Sequence, residues 1–289
     1  MLSILIPTYN YNIVSLVYDL HKQLAKIGVA FEIICLDDVS DNEFVQSNIE
    51  ISRLPFTRYE ISKKNNGIAV TRQLLAEKAK YDWILLLDAD TELIDDTFIT
   101  KYIDVIYSGY DFIFGGFAYK DTKPQKDYLL RWTYGKHCEA VSADKRNKNS
   151  YKITIAANVF VKKDIYKSFN LDSIGKQYAM DYYLGATLKK NKSKVLHLDN
   201  QVYHLGIEKS EAYLRKKEQA AETLLNLYSS NNITQHSNNL LSTYIILKHL
   251  KLNYVFAGFF KICKPALQKN LLGKHPRVLL LQFYKITYI

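Results

Sequence analysis

The sequence feature that most constrains the fold is the apolar run at residues 83–90, WILLLDAD, which ends in two carboxylates. A short apolar run bounded by charge fits a strand buried on both faces of a parallel sheet better than it fits a helix. In open α/β sheets ligands bind beyond the carboxyl ends of the strands, so Asp88 and Asp90 would lie at the rim of a ligand crevice. A solvated turn after a strand is the alternative, because an isolated Asp-x-Asp sequence is common by chance.

The spacing of the two carboxylates predicts a binding role. Side chains two residues apart on an extended chain point to the same side, so Asp88 and Asp90 would present their oxygens together. Paired hard oxygen ligands suit a divalent cation that also binds a diphosphate. The run therefore favours a site for a divalent cation and a diphosphate.

Strands and helices alternate before this run. Residues 2–6 and 31–36 are short apolar runs that predict strands, and a stripe of apolar residues at 12–27 predicts a helix between them. A strand, a helix and a strand at this spacing make a right-handed βαβ unit with parallel strands. The second strand also ends in carboxylates, at Asp37 and Asp38.

A third strand is expected at residues 57–62. It is followed by a turn at Asn65-Asn66-Gly67 and by a helix at 68–80 that carries Arg72 in its early turns. The parallel strands would all end at one edge of the sheet, with this turn beside them. The convergence of polar segments at one edge predicts a ligand site more strongly than any single motif does.

The second half of the chain is expected to return to the same sheet. A helix is predicted at 96–108, and strands are predicted at 111–117 and 153–161. Residues 120–152 are polar, basic and aromatic, which indicates a long excursion over the active face. Gly115-Gly116 marks a place where a backbone or a ligand can approach closely.

A later helix, expected at 176–190, carries a candidate catalytic residue. Asp181 lies on the same stripe as Leu184 and Leu188, so it should be half buried. Burial raises the pKa of a carboxyl group, and a carboxylate with a raised pKa suits a general base. An equally good alternative is that Asp181 only accepts a hydrogen bond from a neighbouring backbone group or lysine.

Most of the excess positive charge lies in the C-terminal part, where helices are expected from residue 210 onward. The net charge is +10, and no acidic residue follows Glu222. The cations after it are Lys248, Lys251, Lys261, Lys264, Lys269, Lys274, Arg277 and Lys285. Interspersed apolar residues, Phe256, Phe259, Phe260 and 279–281, favour binding to anionic lipid. Helices packed on the protein with a solvated lysine face are the alternative.

Because no nucleic-acid-reading motif accompanies the lysines, no nucleic-acid partner is expected.

The three cysteines, Cys35, Cys138 and Cys263, are far apart and odd in number, which fits a reducing compartment. The N-terminus lacks the features of a signal peptide, and no run reaches the roughly 18 apolar residues of a spanning helix. The sequence predicts a cytoplasmic protein, which would be peripheral on the inner face of the membrane if its basic tail binds lipid.

Four motifs in order resemble those of family 2 glycosyltransferases with the GT-A fold. They are residues 4–10 (ILIPTYN), 36–41 (LDDVSD), 65–67 (NNG) with Arg72, and 87–90 (LDAD). The resemblance extends from Ser3 to about His204. It implies an α/β fold in which a mostly parallel, Rossmann-like sheet is flanked by helices.

The resemblance also implies a division of the chain. A catalytic domain would span 1–206, with a donor half at 1–118 and an acceptor half at 119–206. Residues 207–289 would form a helical, basic C-terminal extension.

The function implied is inverting, metal-dependent transfer of a sugar from a nucleoside-diphosphate sugar, with UDP favoured, to a hydroxyl of a glycan or lipid-linked acceptor. Cell-surface polysaccharide or lipopolysaccharide synthesis is the implied pathway. The residues implied to bind the donor are Pro7, Thr8, Tyr9, Asp37 or Asp38, Asn66, Gly67, Arg72, Asp88 and Ala89. Asp90, Asp88 and His204 are implied to bind Mg²⁺ or Mn²⁺, and Asp181 is the implied catalytic base. The resemblance makes His197 a weaker candidate than His204, with a structural role expected.

The chain departs from the family pattern at two positions. Val39 replaces the Gly that usually follows the acidic pair, and because a β-branched residue resists positive φ, the turn is expected to have another shape. Met180 replaces the Glu that usually precedes the base, which weakens the analogy for acceptor recognition.

Other functions fit the sequence less well. Nucleotidyl transfer would need a glycine-rich, basic N-terminal loop, and a dinucleotide-dependent dehydrogenase would need Gly-x-Gly-x-x-Gly after the first strand. The sequence contains neither feature. A catalytically inactive member of the same fold that binds nucleotide or membrane remains as the alternative. Retention of Asp38, Asp88, Asp90 and Asp181 together argues against it.

Overall fold

The computed structural model describes residues 1–169 and 179–289 and shows the predicted α/β architecture. The first part of the chain contains β1 (Leu2–Thr8), α1 (Val14–Ile27), β2 (Phe31–Asp37), α2 (Asn42–Asn48), β3 (Thr57–Ile61), α3 (Ile68–Lys78), β4 (Trp83–Leu87), β5 (Thr91–Leu93) and α4 (Phe98–Ile103). These bounds confirm the predicted order of strands and helices.

The second part of the chain adds strands to the sheet and helices around it. Its elements are β6 (Phe112–Phe114), β7 (Phe117–Ala118), α5 (Leu129–Tyr134), α6 (Ala143–Asn147), β8 (Asn158–Lys162), α7 (Lys163–Lys167), α8 (Asp181–Lys190), β9 (Val195–His197) and β10 (Val202–His204). The C-terminal helices are α9 (Ser210–Ser229), α10 (Asn239–His249), α11 (Asn253–Leu271) and α12 (Val278–Tyr288).

The main sheet has seven strands in the order β3-β2-β1-β4-β8-β6-β9. The first four strands of the chain are parallel, with Pro7 opposite Leu36 and Leu5 opposite Leu86. β8 runs antiparallel between β4 and β6. The carboxyl ends of β1, β2 and β4 therefore meet at one edge, as the sequence predicts.

Two hydrophobic clusters cover the two faces of this sheet. Every residue of β1 is buried, as expected of a central parallel strand. Its side chains alternate between the faces, so Ile4 packs with Leu20 of α1 while Leu5 packs with Leu75 of α3. The sheet edge that carries the polar residues is thus fixed by a core on both sides.

A small second sheet, in the order β5-β10-β7, lies at the end of β4. It divides the strand predicted at 111–117, because β6 belongs to the main sheet and β7 to the small one. The two glycines between them allow this change of sheet. Gly116 has φ +89°, a conformation that favours glycine. A Cβ at Gly115 would overlap Asn158 and Tyr102, so the groups that closely approach this backbone, as expected from the sequence, belong to the protein.

Three other predicted elements differ in length. The α-helix expected at 96–108 spans only Phe98–Ile103, and the strand expected from 153 begins at Asn158. The described part of the helix expected at 176–190 starts at Asp181, and its predicted beginning lies outside the described residues.

The polar excursion at 120–152 is a layer of short helices over the active face. It contains α5, α6 and a π-helical turn at Gly135–Glu139. Leu130 and Arg131 of α5 are buried, and Leu130 packs with Tyr213 and Leu214 of α9. The C-terminal helices therefore contact the part of the chain that covers the sheet edge.

The C-terminal helices pack on the protein through one apolar face. Phe260 and Leu281, two of the residues that favoured lipid binding, are buried, whereas Phe259 and Leu279 are exposed. The helices are thus packed on the protein, and they also expose apolar and basic residues, so that binding to anionic lipid stays a prediction. Within the described ranges no helix has both the length and the apolar character needed to cross a bilayer.

Candidate active site

A cavity of about 460 Å³ lies at the end of β4. Its walls come from α3, the loop after β4, α5, α8, β10 and α9. The polar side chains that line it include Arg72, Asp88, Asp90, Arg131, Glu139, Asp181, His204, Lys216 and Lys217. A depression of about 490 Å³ between residues 147–151 and 192–195 contains none of the predicted site residues. The first cavity is therefore the candidate active site.

A smaller pocket of about 240 Å³ adjoins this cavity, and Ile68 lines both. The pocket is lined by Pro7, Thr8, Tyr9, Asp38, Asn65, Gly67, Ile68 and Thr71. Five residues predicted to contact the donor thus lie together: Pro7, Thr8, Tyr9, Asp38 and Gly67. Three others, Asp37, Asn66 and Ala89, are buried and do not line either space.

The carboxylate of Asp38 fixes the turn that begins α3. Its Oδ1 accepts a hydrogen bond from the Asn66 amide at 2.8 Å, and its Oδ2 accepts one from the Gly67 amide at 2.7 Å. Gly67 has φ +81°, which favours glycine at this position. Asp38 therefore fixes the start of α3, and α3 carries Arg72, whose side chain lines the cavity.

Asp37 is fully buried and also accepts hydrogen bonds from the protein. The Ser40 amide donates to Oδ1 at 2.6 Å, and the Tyr59 hydroxyl donates to Oδ2 at 2.5 Å. Together the two carboxylates give the loop after β2 a defined shape.

The prediction that Val39 prevents a positive φ is wrong. Val39 has φ 70°, the left-handed conformation that a β-branched residue adopts at an energetic cost. The flanking hydrogen bonds explain it: the Asp38 amide donates to the Thr8 carbonyl at 2.8 Å, and the Ser40 amide donates to Asp37. The backbone on both sides of Val39 is fixed, so the residue between adopts the turn that glycine would favour.

Arg72 and Asp88 form an ion pair on the wall of the cavity. Arg72 Nη2 and Asp88 Oδ1 are 2.5 Å apart, and only 12% of the arginine side chain is exposed. Burial lowers the pKa of Arg72, but Asp88, with smaller contributions from Tyr166 and Asp181, raises it above its usual value. The Arg72 guanidinium is thus held charged beside the space where a ligand would bind.

Asp90 and His204 meet because two strands pair. β5 follows Asp90 directly and pairs antiparallel with β10, which places Thr91 opposite His204. His204 Nε2 lies 3.4 Å from Asp90 Oδ2. A Cβ at Gly206 would overlap that carboxylate, so only glycine leaves room for it.

Burial affects the protonation of both groups. It raises the pKa of Asp90 and lowers the pKa of His204, although each partner's charge opposes the shift. His204 Nδ1 is buried without a hydrogen-bond partner in the described chain. A neutral imidazole beside a carboxylate can coordinate a cation.

The residues at this position fit a divalent metal ion that binds together with a diphosphate. No group of three or more His, Cys, Asp or Glu residues suited to a metal ion occurs within residues 1–169 and 179–289. Asp90 and His204 nevertheless offer an oxygen and a nitrogen ligand. Mg²⁺ is commonly held by one or two protein carboxylates plus substrate phosphates and water. Mn²⁺ accepts the same oxygen ligands.

Asp181 is the first residue of α8 and faces the cavity. Its side chain is exposed to the cavity. Protein atoms nevertheless surround the carboxylate and displace bulk water, and this desolvation raises its pKa to about 6. The Ala156 amide lies 3.4 Å from its Oδ1, a long hydrogen bond. Leu184 and Leu188 on the same stripe are buried, as predicted. Asp181 is more exposed than expected, which suits contact with a ligand.

The sequence did not predict the residues on the cavity wall opposite α3. Arg131 Nη1 lies 3.0 Å from Glu139 Oε2, and the Tyr119 hydroxyl donates to the same oxygen. Burial would raise the pKa of Glu139, but Arg131 and Lys217 lower it, so the carboxylate stays ionised. The only sequence signal was the mixture of basic and aromatic residues in the excursion.

His197 has a structural role, as expected. It is buried, with Arg146 Nη1 at 2.9 Å from Nδ1 and the Ser150 carbonyl at 2.9 Å from Nε2. Burial lowers its pKa to about 4.

Comparisons with known proteins identify related sequences and structures. The model of the family described as glycosyl transferase family 2 matches residues 3–169. No curated protein sequence matches the chain. The crystal structure of S. aureus TarS 1-349 in complex with UDP is similar, with a TM-score of 0.53 and 15% identity, covering 98% of this chain and 89% of that chain.

Two further structures show how far the likeness extends. The mannosyltransferase PcManGT from Pyrobaculum calidifontis, in complex with GDP-Man and Mn²⁺, has a TM-score of 0.50 and 9% identity, covering 79% of this chain and 64% of that chain. The crystal structure of S. aureus TarS 1-349 has a TM-score of 0.50 and 17% identity, covering 78% of this chain and 65% of that chain. In these two comparisons the matched part is less than two thirds of the neighbour's length. At such identities the likeness shows the shared GT-A fold alone.

Proposed function

The chain belongs to glycosyl transferase family 2, and on that premise we propose that it transfers a sugar from a nucleoside-diphosphate sugar to an acceptor hydroxyl with inversion at the anomeric carbon. The observation that carries this proposal is the meeting of Asp88, Asp90, Asp181 and His204 in one cavity beside the pocket at Pro7 to Tyr9. Residues 1–118 would bind the donor, and residues 119–206 would bind the acceptor.

Asp181 is proposed as the general base. Its pKa of about 6 leaves the carboxylate mostly ionised at neutral pH, yet basic enough to accept a proton. It would take the proton from the acceptor hydroxyl as the oxygen attacks the anomeric carbon and the bond to the diphosphate breaks. One displacement of this kind inverts the configuration and needs no covalent intermediate.

The donor would lie across the sheet edge. The nucleoside would occupy the pocket of about 240 Å³, where Thr8 and Gly67 approach it, and UDP is the favoured nucleotide. Arg72 and Asp88 would orient the ribose and sugar at the junction of the two spaces. Mg²⁺ or Mn²⁺, held by Asp90 and His204, would supply positive charge to stabilise the departing nucleoside diphosphate.

A panel of UDP, GDP, CDP and ADP, each with and without Mn²⁺, tests donor binding by thermal shift. A ligand at about a hundred times its dissociation constant stabilises the folded state by roughly 2.7 kcal/mol. We expect one nucleotide to stabilise the protein, and only with metal. The Asp90→Asn variant should lose the metal-dependent part. No stabilisation by any nucleotide would favour a catalytically inactive member of the family.

The acceptor is proposed to be a glycan or a lipid-linked sugar used in cell-surface polysaccharide or lipopolysaccharide synthesis. A lipid-linked acceptor would be met at a membrane, and α10 and α11 present a surface that suits one. Its exposed apolar residues are Ile246, Leu250, Leu252, Tyr254, Val255, Phe259 and Ile262, and its exposed cations include Lys248, Lys251 and Lys261. Exposed apolar and basic residues on these two helices and between them support peripheral binding to anionic lipid.

Liposome sedimentation tests the membrane proposal. At low salt the protein should pellet with vesicles that contain anionic lipid and stay in solution with neutral ones. The Val255→Asp, Ile262→Asp double variant should lose this binding, whereas Tyr107→Asp, at an exposed position elsewhere, should retain it. Failure of the wild-type protein to pellet with anionic vesicles would remove the idea.

A further inference from the structure

One wall of the cavity contains a cluster of cations that the proposed transfer has not used. Lys217 of α9 has its ammonium 4.6 Å from the Tyr134 ring centre and 4.7 Å from that of Tyr213. The guanidinium of Arg131 lies 5.1 Å from the Tyr213 ring, and Lys285 of α12 lies 5.7 Å from the Tyr134 ring. Cations from α5, α9 and α12 therefore surround two tyrosine rings.

This cation cluster, Arg131, Lys217 and Lys285, has few carboxylates to balance it. Glu139 pairs with Arg131 at 3.0 Å. Within the described ranges, neither lysine has a carboxylate oxygen within 4.0 Å. Burial lowers the pKa of Lys217 to about 8, and burial together with Lys217 lowers that of Lys285 to about 8. The positive charges destabilise one another in a poorly solvated place.

Buried like charges without partners are costly, and a bound anion removes much of that cost. Arg131, Lys217 and the Tyr134 ring line the cavity, so an anion in the cavity can reach the cluster. Lys285 is 6% exposed and lies behind Tyr134, where it adds to the positive potential without contacting a ligand. The other lysine of this wall, Lys216, already pairs with Glu208 at 2.8 Å.

We propose that the cation cluster forms a subsite for a phosphate group. A phosphate offers several acceptor oxygens and up to two negative charges, which suits a guanidinium and an ammonium together. The phosphate would come either from the diphosphate of the donor or from a phosphate on the acceptor. The inference rests on the proposed function, and it gives the C-terminal helices a part in ligand binding, because α9 supplies Lys217, which would contact the phosphate, and α12 supplies Lys285, which adds positive potential behind it.

Calorimetric titration uses one fixed Mg²⁺ concentration for the wild type and all variants, so that the divalent ion contributes equally and a difference in affinity reports on the cluster. The probes are pyrophosphate, inorganic phosphate, UDP and uridine. Lys217→Met keeps the packing between the tyrosine rings and removes the charge. Loss of one hydrogen bond to a charged group predicts roughly 10- to 100-fold weaker phosphate binding. Lys217→Arg should restore most of the affinity, and Arg215→Gln, on the exposed side of α9, should leave it unchanged.

The probes distinguish the two sources of phosphate. Weaker binding of UDP with unchanged uridine binding assigns the subsite to the donor. If Lys217→Met binds UDP as the wild type does, but binds inorganic phosphate more weakly when UDP is saturating, the subsite belongs to the acceptor. Equal affinity of wild type and Lys217→Met for all phosphate probes overturns the proposal, while UDP binding to both proteins leaves the transferase function intact.

Wild-type protein provides a second test that does not depend on a folded variant. Acetic anhydride acylates accessible amines, and Lys217 faces the cavity. Pyrophosphate is expected to protect Lys217 from acylation several-fold, as measured by mass spectrometry of its peptide, without protecting the exposed Lys261. Unchanged acylation of Lys217 at saturating pyrophosphate overturns the proposal.

Discussion

The two sides of the cavity are held together by different kinds of contact. On the donor side, the Asp38 carboxylate accepts hydrogen bonds from the Asn66 and Gly67 amides at 2.8 and 2.7 Å. On the opposite side the contacts join side chains: Glu139, in the turn that follows α5, lies 3.0 Å from Arg131, and the ring centre of Tyr134 in α5 lies 4.6 Å from the ammonium of Lys217 in α9.

This difference assigns different tasks to the two sides. Contacts to the backbone fix atoms with little freedom, which suits recognition of a constant part of the ligand, such as the nucleotide. Charged side chains held by rings keep some freedom, and their energy depends on what binds between them. Substitutions on the donor side should therefore affect folding, and those on the opposite side should affect binding and chemistry.

Asp181, which lies between the two sides, gives the largest expected effect. Asp181→Asn should lower the transfer rate by about 10²- to 10⁴-fold, because an amide cannot accept the proton, while donor binding persists. Because a base must be deprotonated, wild-type transfer should rise with pH through about 6. Rates measured from pH 5 to 8 check both points.

Asp96→Asn, at an exposed position, is the matched control for the lost charge and should transfer at the wild-type rate. Turnover by Asp181→Asn at the wild-type rate, with the same pH dependence, would exclude Asp181 as the base.

The donor side should show the larger loss of folding stability. Asp88→Asn leaves the buried Arg72 guanidinium without its charge partner, so the free energy of unfolding should fall by about 3 kcal/mol. Urea denaturation measures it. The matched control is Asp95→Asn, which breaks the exposed pair with Lys101 and should cost less than about 1 kcal/mol. Equal losses in the two variants would contradict the comparison.

The donor side is also the part that the sequence predicts well. Its carboxylates directly follow apolar strands, so a local pattern places Asp38 and Asp88 at the sheet edge without knowledge of tertiary contacts. The opposite side depends on contacts between residues far apart in the chain, such as Tyr134 with Lys217 and Lys285. No periodicity links these residues, and the pairing of β5 with β10 that brings His204 to Asp90 leaves no local signal either.

The metal position lies where the two kinds of contact meet. Gly206→Ala would push a Cβ into the Asp90 carboxylate and so displace it, while both candidate ligand residues, Asp90 and His204, stay unchanged in the sequence. We expect metal-dependent nucleotide binding to weaken roughly 10-fold, the lower end of losses seen when the support of a metal ligand is disturbed. Nucleotide titration with and without Mn²⁺ measures it. Gly258→Ala, where a Cβ meets open space, should bind as the wild type does.

Val39 shows that hydrogen bonds can override residue preference, and it gives the smallest expected effect. Its φ of 70° is strained for a β-branched side chain that is 43% exposed and so loses little packing when removed. Val39→Gly should relieve that strain, although glycine also gains freedom in the unfolded chain. The net expectation is a stabilisation of about 0.5–1 kcal/mol in urea denaturation. Val29→Gly, at a position without positive φ, should instead destabilise the protein. If Val39→Gly also destabilises it, the strain at Val39 costs less than the entropy that glycine gains in the unfolded chain, and the prediction of strain at this position is wrong.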